Sequence, residues 1–213
     1  MLIFDFFAGT GSSTQAFHDA GDTVITFELD PQFDATETIS VLDLTVEGLL
    51  AKYGRPDFVW ASPPCTAFSV ASIGHHWAQG GKHPVPKTDA AEFNQRLVEH
   101  AKTLAIGLQP TYGWLIENPR GMLRKLPVVA DLPRRTITYC KYGDTRMKPT
   151  DIWGNVADWI ARDPCKNGDL CHEPAPRGSR TGTQGLKGAK TRSMIPYGLG
   201  LEIRDAILRE MAK

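Results

Sequence analysis

Apolar residues fall along the chain in short runs, each closed by polar or turn-forming residues. LIFDFFA (2–8) is apolar except for Asp5, and TVITFELD (23–30) closes on acidic residues. DFVWAS (57–62) and GWLIENP (113–119) also close on polar residues and proline. Such runs, bounded by turn residues, predict strands buried on both faces. A shorter strand is expected near 38–42, ending at Asp43. Helices are predicted at about 13–20, 45–52 and 89–108. The last carries Phe93, Leu97, Ala101, Leu104 and Leu108 at helical spacing. RRTITYC (134–140) alternates like a half-buried strand, DIWGN allows another, and LEIRDAILREM (201–211) reads as a terminal helix. Strands alternating with helices predict a Rossmann-like α/β fold, with a mostly parallel sheet and helices on both faces.

Two stretches break this pattern. Residues 66–87 have no period and are rich in Gly and His. Loops longer than about 12–15 residues are usually functional or disordered. Phe68, Ile73 and Trp77 speak against disorder, so an active-site lid is expected there. Residues 163–200 are rich in Gly, Pro and Cys with little periodicity. The expected organisation is a catalytic domain at 1–160, a small basic Cys/Gly-rich substrate-contact segment at 161–195, and a C-terminal helix at 196–213 packed on the domain.

Composition narrows the class. A chain of 213 residues, 41% hydrophobic, can bury one domain core. No apolar run reaches the roughly 18 residues of a membrane helix. MLIFDFF lacks a basic stretch before its apolar run, so it reads as a strand and not as a signal peptide. Four cysteines at this length do not make a secreted disulfide scaffold. A cytoplasmic monomer is the expectation. The net charge is zero but unevenly spread: residues 1–60 hold ten acidic and two basic side chains, and 120–148 hold eight basic and two acidic. A basic second half suits a polyanion held on one side, with solvated surface charge as the alternative.

The turn after the first run offers a cofactor edge. In FAGTGSS, Gly9 and Gly11 permit a tight turn and close approach to a ligand, and the following helix aims free N–H groups at the same place. Glu28 ends the second strand about twenty residues later, where an acidic group meets a ribose diol. Asp43, at the next expected strand end, suits an adenine amino group. The turn has no lysine, which excludes a Walker loop, and it lacks the three-glycine dinucleotide form. A nucleoside cofactor without phosphates fits, and S-adenosylmethionine is one. Solvated strand-end carboxylates are the alternative for Glu28 and Asp43.

Two further strand ends are unusual: Pro63-Pro64-Cys65 and Glu117-Asn118-Pro119. A thiol and a carboxylate sharing one crevice suit nucleophilic addition assisted by an acid. Here the chain resembles the DNA cytosine-5 methyltransferase family. DFFAGTGSS is similar to its first motif, FELD to its second, SPPCTAFS to its prolyl-cysteine loop, ENP to its glutamate motif, and CKYGDTRMK (140–148) to a weakened arginine motif. The resemblance implies an S-adenosylmethionine-dependent methyltransferase fold with a small irregular C-terminal insertion. It implies Cys65, Glu117 and Arg146 as catalytic residues, and Asp5, Phe7, Ala8, Gly9, Gly11, Glu28, Leu29, Asp43 and Pro63 as cofactor-binding. The chain departs from the family in its short length and in lacking a Gly-Asn motif before the last helix.

The resemblance implies methyl transfer to carbon 5 of cytosine in DNA through a covalent Cys65 adduct at carbon 6. The base would be flipped from a duplex or taken from a single strand. Ser69 is a candidate phosphate contact, and Gln79 or Trp77 a candidate to fill the vacated space. RNA as substrate, a larger transferred group, or an idle nucleic-acid-binding module stay open at this level. The compactness suits a virus-encoded enzyme acting in a bacterial host. Cys140, Cys165, Cys171 and His172 form a candidate Cys3His zinc set, against reduced thiols and a surface histidine. Beside them, Arg177, Arg180, Lys187, Lys190 and Arg192 would contact phosphate from a Gly- and Thr-rich frame that includes SRTGTQG.

Overall fold

The computed structural model describes residues 1–174 and 188–213. In chain order the elements are β1 (Leu2–Phe6), α1 (Gln15–Asp19), β2 (Thr23–Glu28), β3 (Glu37–Thr38), α2 (Val46–Tyr53), β4 (Phe58–Ala61), α3 (Ile73–His76), β5 (Trp77–Ala78) and β6 (Val85–Pro86). They continue with α4 (Asp89–Gly107), β7 (Trp114–Pro119), β8 (Arg134–Thr138), β9 (Pro149–Gly154), α5 (Ala189–Ser193) and α6 (Tyr197–Met211). Seven strands form one sheet in the order β3-β2-β1-β4-β7-β9-β8. The pairings from β3 through β7 are parallel, whereas β9 runs antiparallel to both β7 and β8.

Side-chain alternation along the strands explains the two-layered core. Phe4, Phe6, Val59 and Ile116 pack towards α2 and α4 with Phe27 and Leu104. Ile3, Phe58, Trp60 and Leu115 pack on the other face with Phe17, Ile203 and Ile207 from α1 and α6. Burying each such side chain is worth about 1.5–3 kcal/mol. No helix among the described residues is long and apolar enough to cross a membrane.

Several elements differ from the sequence-based expectation. β3 is only two residues long, and Asp43 sits exposed in a 3-10 turn, Val41–Asp43. In α4 the buried stripe includes Ala91, Asn94, Leu97, Val98, Ala101 and Leu104. Phe93 falls outside it, 42% exposed, under the Arg96 guanidinium. The stretch 66–87 is folded: α3 leads into a β5–β6 hairpin. Buried Trp77 anchors it by stacking on Phe68 and donating from Nε1 to the Ala67 carbonyl at 2.7 Å. α6 begins four residues earlier than its apolar period implies, directly after Pro196. The glycines that hide this start permit close packing, since a Cβ on Gly200 would lie 2.9 Å from the Ser13 carbonyl of the α1 entry.

Candidate active site

The sheet register brings the functional residues to one edge. Phe6 pairs with Ala61 and Ala61 with Ile116, so the chain leaves β1, β4 and β7 side by side. Because β9 is antiparallel, with Pro119 opposite Thr150, it starts at this same edge. Thr138 lies opposite Pro149, which brings the end of β8 there as well. Lys148 and Tyr139 therefore join the crevice beyond the carboxyl ends of the parallel strands.

The cofactor side is built mainly from backbone. Phe7, Gly9 and Gly11 all have φ between 51° and 69°. The resulting turn is held by Ala8 N to the Phe27 carbonyl and Gly11 N to the Ala8 carbonyl. A Cβ placed on Gly9 or Gly11 would meet nothing within 4 Å, so their faces open into free space. Glu28 accepts from Gly9 N at 2.9 Å and also from Leu29 N and Asp30 N, which ties the β2 end to the glycine turn. Leu29 beside it is 65% exposed. Asp5 is fully buried beneath the turn; its Oδ2 accepts from Ser13 and Thr14 hydroxyls, and its Oδ1 has no partner among the described residues. Burial raises the Asp5 carboxyl to about 6, against the two hydroxyl bonds that lower it. Asp43 lies on the exposed turn described above, apart from any strand end.

On the other side, Cys65, Glu117 and Lys148 belong to adjoining ends of β4, β7 and β9, where the charges of Glu117 and Lys148 bear on the thiol. Burial, and then the Glu117 charge, push the Cys65 thiol up, while Lys148 and Arg192 act against them. Burial raises Glu117, opposed by Lys148 and by the Tyr139 hydroxyl, which donates to Glu117 Oε1 at 2.8 Å. Burial lowers Lys148, opposed by Glu117. The Lys148 ammonium lies 4.4 Å from the Tyr139 ring centroid and donates to the Arg192 carbonyl. Its φ of 25° is rare for a non-glycine residue, and such strain gathers at working sites. Two amides hold the cysteine loop: Asn118 Nδ2 donates to the Pro63 carbonyl at 2.9 Å, and Asn94 Nδ2 to Thr66 Oγ1 at 3.1 Å.

Arg146, implied as catalytic by the motif resemblance, lies 5.8 Å from the Tyr139 ring centroid with its hydrogen bonds turned away from Cys65 and Glu117. It is buried, pairs with Asp144 through Nε and Nη2, and donates to the carbonyls of Thr191, Arg192 and Met194. It fastens the chain before α6, and Lys148 is the cation beside the cysteine and the glutamate. Trp77 is committed to the core and has no free face to fill a vacated base position, while Gln79 is exposed and Ser69 pairs with Ser72. Arg177, Arg180, Lys187 and SRTGTQG lie outside the described residues. Lys190 is described, and sits over the Phe33 ring. Sequence reasoning passed over Tyr139, Lys148 and Asn94 as site residues. An intact lysine two residues after Arg146, directly before a proline and a strand, was the available signal for Lys148.

The expected metal set comes together. The ligand atoms of Cys140, Cys165, Cys171 and His172 all lie within 4.8 Å of one another. Cys140–Cys165 measures 3.2 Å, Cys140–Cys171 3.6 Å, Cys165–His172 Nδ1 3.6 Å and Cys171–His172 Nδ1 3.7 Å. Neighbouring ligands on a tetrahedral zinc are about 3.5–3.8 Å apart, given the usual bond lengths. The set can coordinate a metal ion.

No protein-family model matches the chain. A Frog virus 3 protein described as a "Probable DNA (cytosine-5)-methyltransferase" is 27% identical over 220 residues, covering 96% of this chain and 99% of its own. Two solved structures share the fold. One, from an E. coli prophage and described as a candidate DNA modification methyltransferase, is 18% identical with TM-score 0.52, over 73% of this chain and 46% of that one. The other, the Entamoeba histolytica methyltransferase EhMeth, is 12% identical with TM-score 0.53, over 78% of this chain and 57% of that one. The chain thus spans about half the length of the solved structures it matches. Their common architecture is the Rossmann-like one, a mixed, mostly parallel sheet flanked by helices. Over nearly its whole length the chain is thus similar to a viral protein described as a probable DNA (cytosine-5)-methyltransferase, and the two solved structures share its fold.

Proposed function

We propose that this protein transfers a methyl group from S-adenosylmethionine to carbon 5 of cytosine in DNA. The observation that carries the reading is the meeting of Cys65, Glu117 and Lys148 at neighbouring strand ends, beside an open glycine turn. The description of the viral relative supports DNA as the substrate and carbon 5 as the position.

The residues of the turn fit the cofactor. Asp5 Oδ1 is a buried acceptor without a partner, Gly9 and Gly11 leave room, and Leu29 offers an apolar surface beside the Glu28 carboxylate. Those residues, with Phe7, Ala8 and Pro63, would hold it. When bound, it supplies an electrophilic methyl on a sulfonium. The chain's own side chains prepare the base. Cys65 Sγ adds to carbon 6 of the ring, which makes carbon 5 nucleophilic. Glu117, whose carboxyl burial pushes up towards its protonated form, holds the N3 edge and gives it a proton as charge builds there. Tyr139 fixes the carboxyl, and Lys148 supplies positive charge that stabilises the thiolate and the electron-rich ring. Transfer of the carbon 5 proton to solvent, with return of the N3 proton to Glu117, then breaks the bond from carbon 6 to Cys65 and restores the ring. Asn94 and Asn118 keep the thiol aimed throughout. The Cys3His set is read as one structural zinc, since thiolates with one imidazole in a tetrahedron suit that ion. Four unbridged cysteines suit a reducing cytoplasm.

The test is a covalent trap. DNA containing 5-fluorocytosine is incubated with S-adenosylmethionine and protein, then run on a denaturing gel beside Cys65→Ala. A DNA-sized mass shift in wild type only is expected, because fluorine blocks the final proton loss. No adduct with duplex or single-stranded DNA, under conditions where the cofactor binds, would overturn the reading; an adduct with 5-fluorocytosine RNA instead would move the substrate to RNA.

A further inference from the structure

We propose that Cys140, Cys165, Cys171 and His172 bind one Zn2+, and that this ion fastens the wall of the crevice that receives the base. The second half rests on the reading of Cys65 and Glu117 given above.

The segment that supplies three of the four ligands has almost no core of its own. Between Asp163 and Pro174 only Cys165 is buried, and Leu170 is fully exposed. A stretch so poor in apolar contacts does not hold one conformation by packing, and a metal supplies folding energy directly in such cases. What it grips is the substrate side of the site. Cys140 directly follows Tyr139, whose hydroxyl holds Glu117. Cys165 N donates to Thr138 Oγ1 at 3.0 Å, just before that tyrosine. Glu173 N donates to the Thr145 carbonyl at 2.9 Å, at the start of the turn that leads to Arg146 and Lys148. Residues 138–145 are thus pinned at both ends by the ligand-bearing segment; between the pins lies Tyr139, the partner of the acid, and three residues past the second pin lies Lys148, the cation beside the thiol. The glycine turn, Asp5 and Glu28 lie on the far side of β4. Orientation by outer-shell groups commonly governs activity by about 10- to 100-fold.

The experiment starts with elemental analysis of protein purified without added metal, and again after exposure to Zn2+ and dialysis. One equivalent of zinc per chain is expected in wild type, falling well below one in Cys171→Ser and in His172→Ala. Absence of bound zinc in wild type under both conditions would overturn the site, whatever the enzyme's activity. Hydrogen exchange of the intact protein before and after chelation tests the fastening without reference to catalysis. Amides of 138–148 are expected to exchange faster on zinc loss while those of 2–28 stay protected. No change at 138–148, or equal loss across the chain, would overturn the fastening role. In the covalent trap, chelated protein should retain binding of S-adenosylhomocysteine and lose adduct formation by about 10-fold or more. An unchanged adduct rate at verified zinc loss would also overturn it. If wild type forms no adduct at all, the functional reading fails alone, because zinc content and exchange still decide this one.

Discussion

At the β3-β2-β1-β4 end of the sheet the crevice is shaped by backbone: positive-φ residues turn the chain, and main-chain N–H groups tie Glu28 to that turn. At the β7-β9-β8 end it is shaped by side chains drawn from distant parts of the sequence, with Tyr139 on Glu117, Lys148 on a tyrosine ring and Arg146 gripping three carbonyls. The first end is built mainly from consecutive elements, β1, its turn, α1 and β2, with one distant tie from Ile195 to Ser12. The second needs an antiparallel strand to collect its parts, and the Cys3His cluster lies beside them. Under the proposed function, local geometry makes the cofactor seat and long-range polar contacts make the reacting centre.

The strongest way to break this contrast is to exchange the roles of the two cations on the second side. Lys148→Met is expected to slow adduct formation by about 10²–10³-fold, since it removes the charge facing the thiol. It should lower the urea midpoint less than Arg146→Met does, because Lys148 gives up one carbonyl where Arg146 gives up three and a carboxylate. Arg146→Met should do the reverse, costing about 3 kcal/mol of stability by stranding Asp144 and the 191–194 carbonyls. Urea titration beside the covalent trap reads both; a stable but inactive Arg146→Met would return the catalytic cation to Arg146.

The first side is sharpened by Asp5→Asn. The Asp5 carboxyl is raised from 3.8 to about 6 in the fold. The stability it contributes is therefore full below pH 3.8 and lost as the pH rises through about 6. The shift corresponds to about 3 kcal/mol, an upper bound for the effect. Asparagine keeps hydrogen bonds to Ser13 and Thr14 and carries no charge, so it should be more stable than wild type at pH 8 and nearly equal at pH 4. S-adenosylhomocysteine should bind it at least about 10-fold more weakly, the loss of a charge-assisted bond. Urea melts at both pH values and calorimetry check this; unchanged affinity would remove Asp5 from the cofactor seat.

The smallest effect tests the link between the sides. Asn94→Ala should cost about 0.5–1.5 kcal/mol and slow adduct formation a few-fold with cofactor affinity unchanged, because Asn94 touches the cysteine loop alone. A weakened cofactor site in that variant would mean that the two sides are coupled through the prolines.

The contrast also governs what could be read from sequence. β1, the glycine turn, SPPC and ENP were legible because each is a strand followed by its own turn. The hairpin within 66–87 was not, because burial of Trp77 under Phe68 makes it, and neither residue sets a local period. Tyr139 and Lys148 were hidden by the reversed direction of β9, which nothing in DIWGN announces. Arg146 matched a motif by position, yet its guanidinium is taken by Asp144, two residues away. For the metal set the residue types were informative although the spacing was not: adjacent Cys171 and His172 do turn their ligand atoms to the same point, 3.7 Å apart.

Ile195 N donates to Ser12 Oγ across 183 positions, and α6 then packs on the α1 entry through Gly200. A ribosome delivers these partners at opposite times. A nascent chain can place Cys65 and Glu117 on neighbouring strands long before residues 195–207 emerge, but the glycine turn lacks its last buttress until they do. If the proposed function holds, synthesis order thus separates the meeting of Cys65 and Glu117 from the completion of the turn that would seat the methyl donor, and a truncated translation product would carry the first without the second.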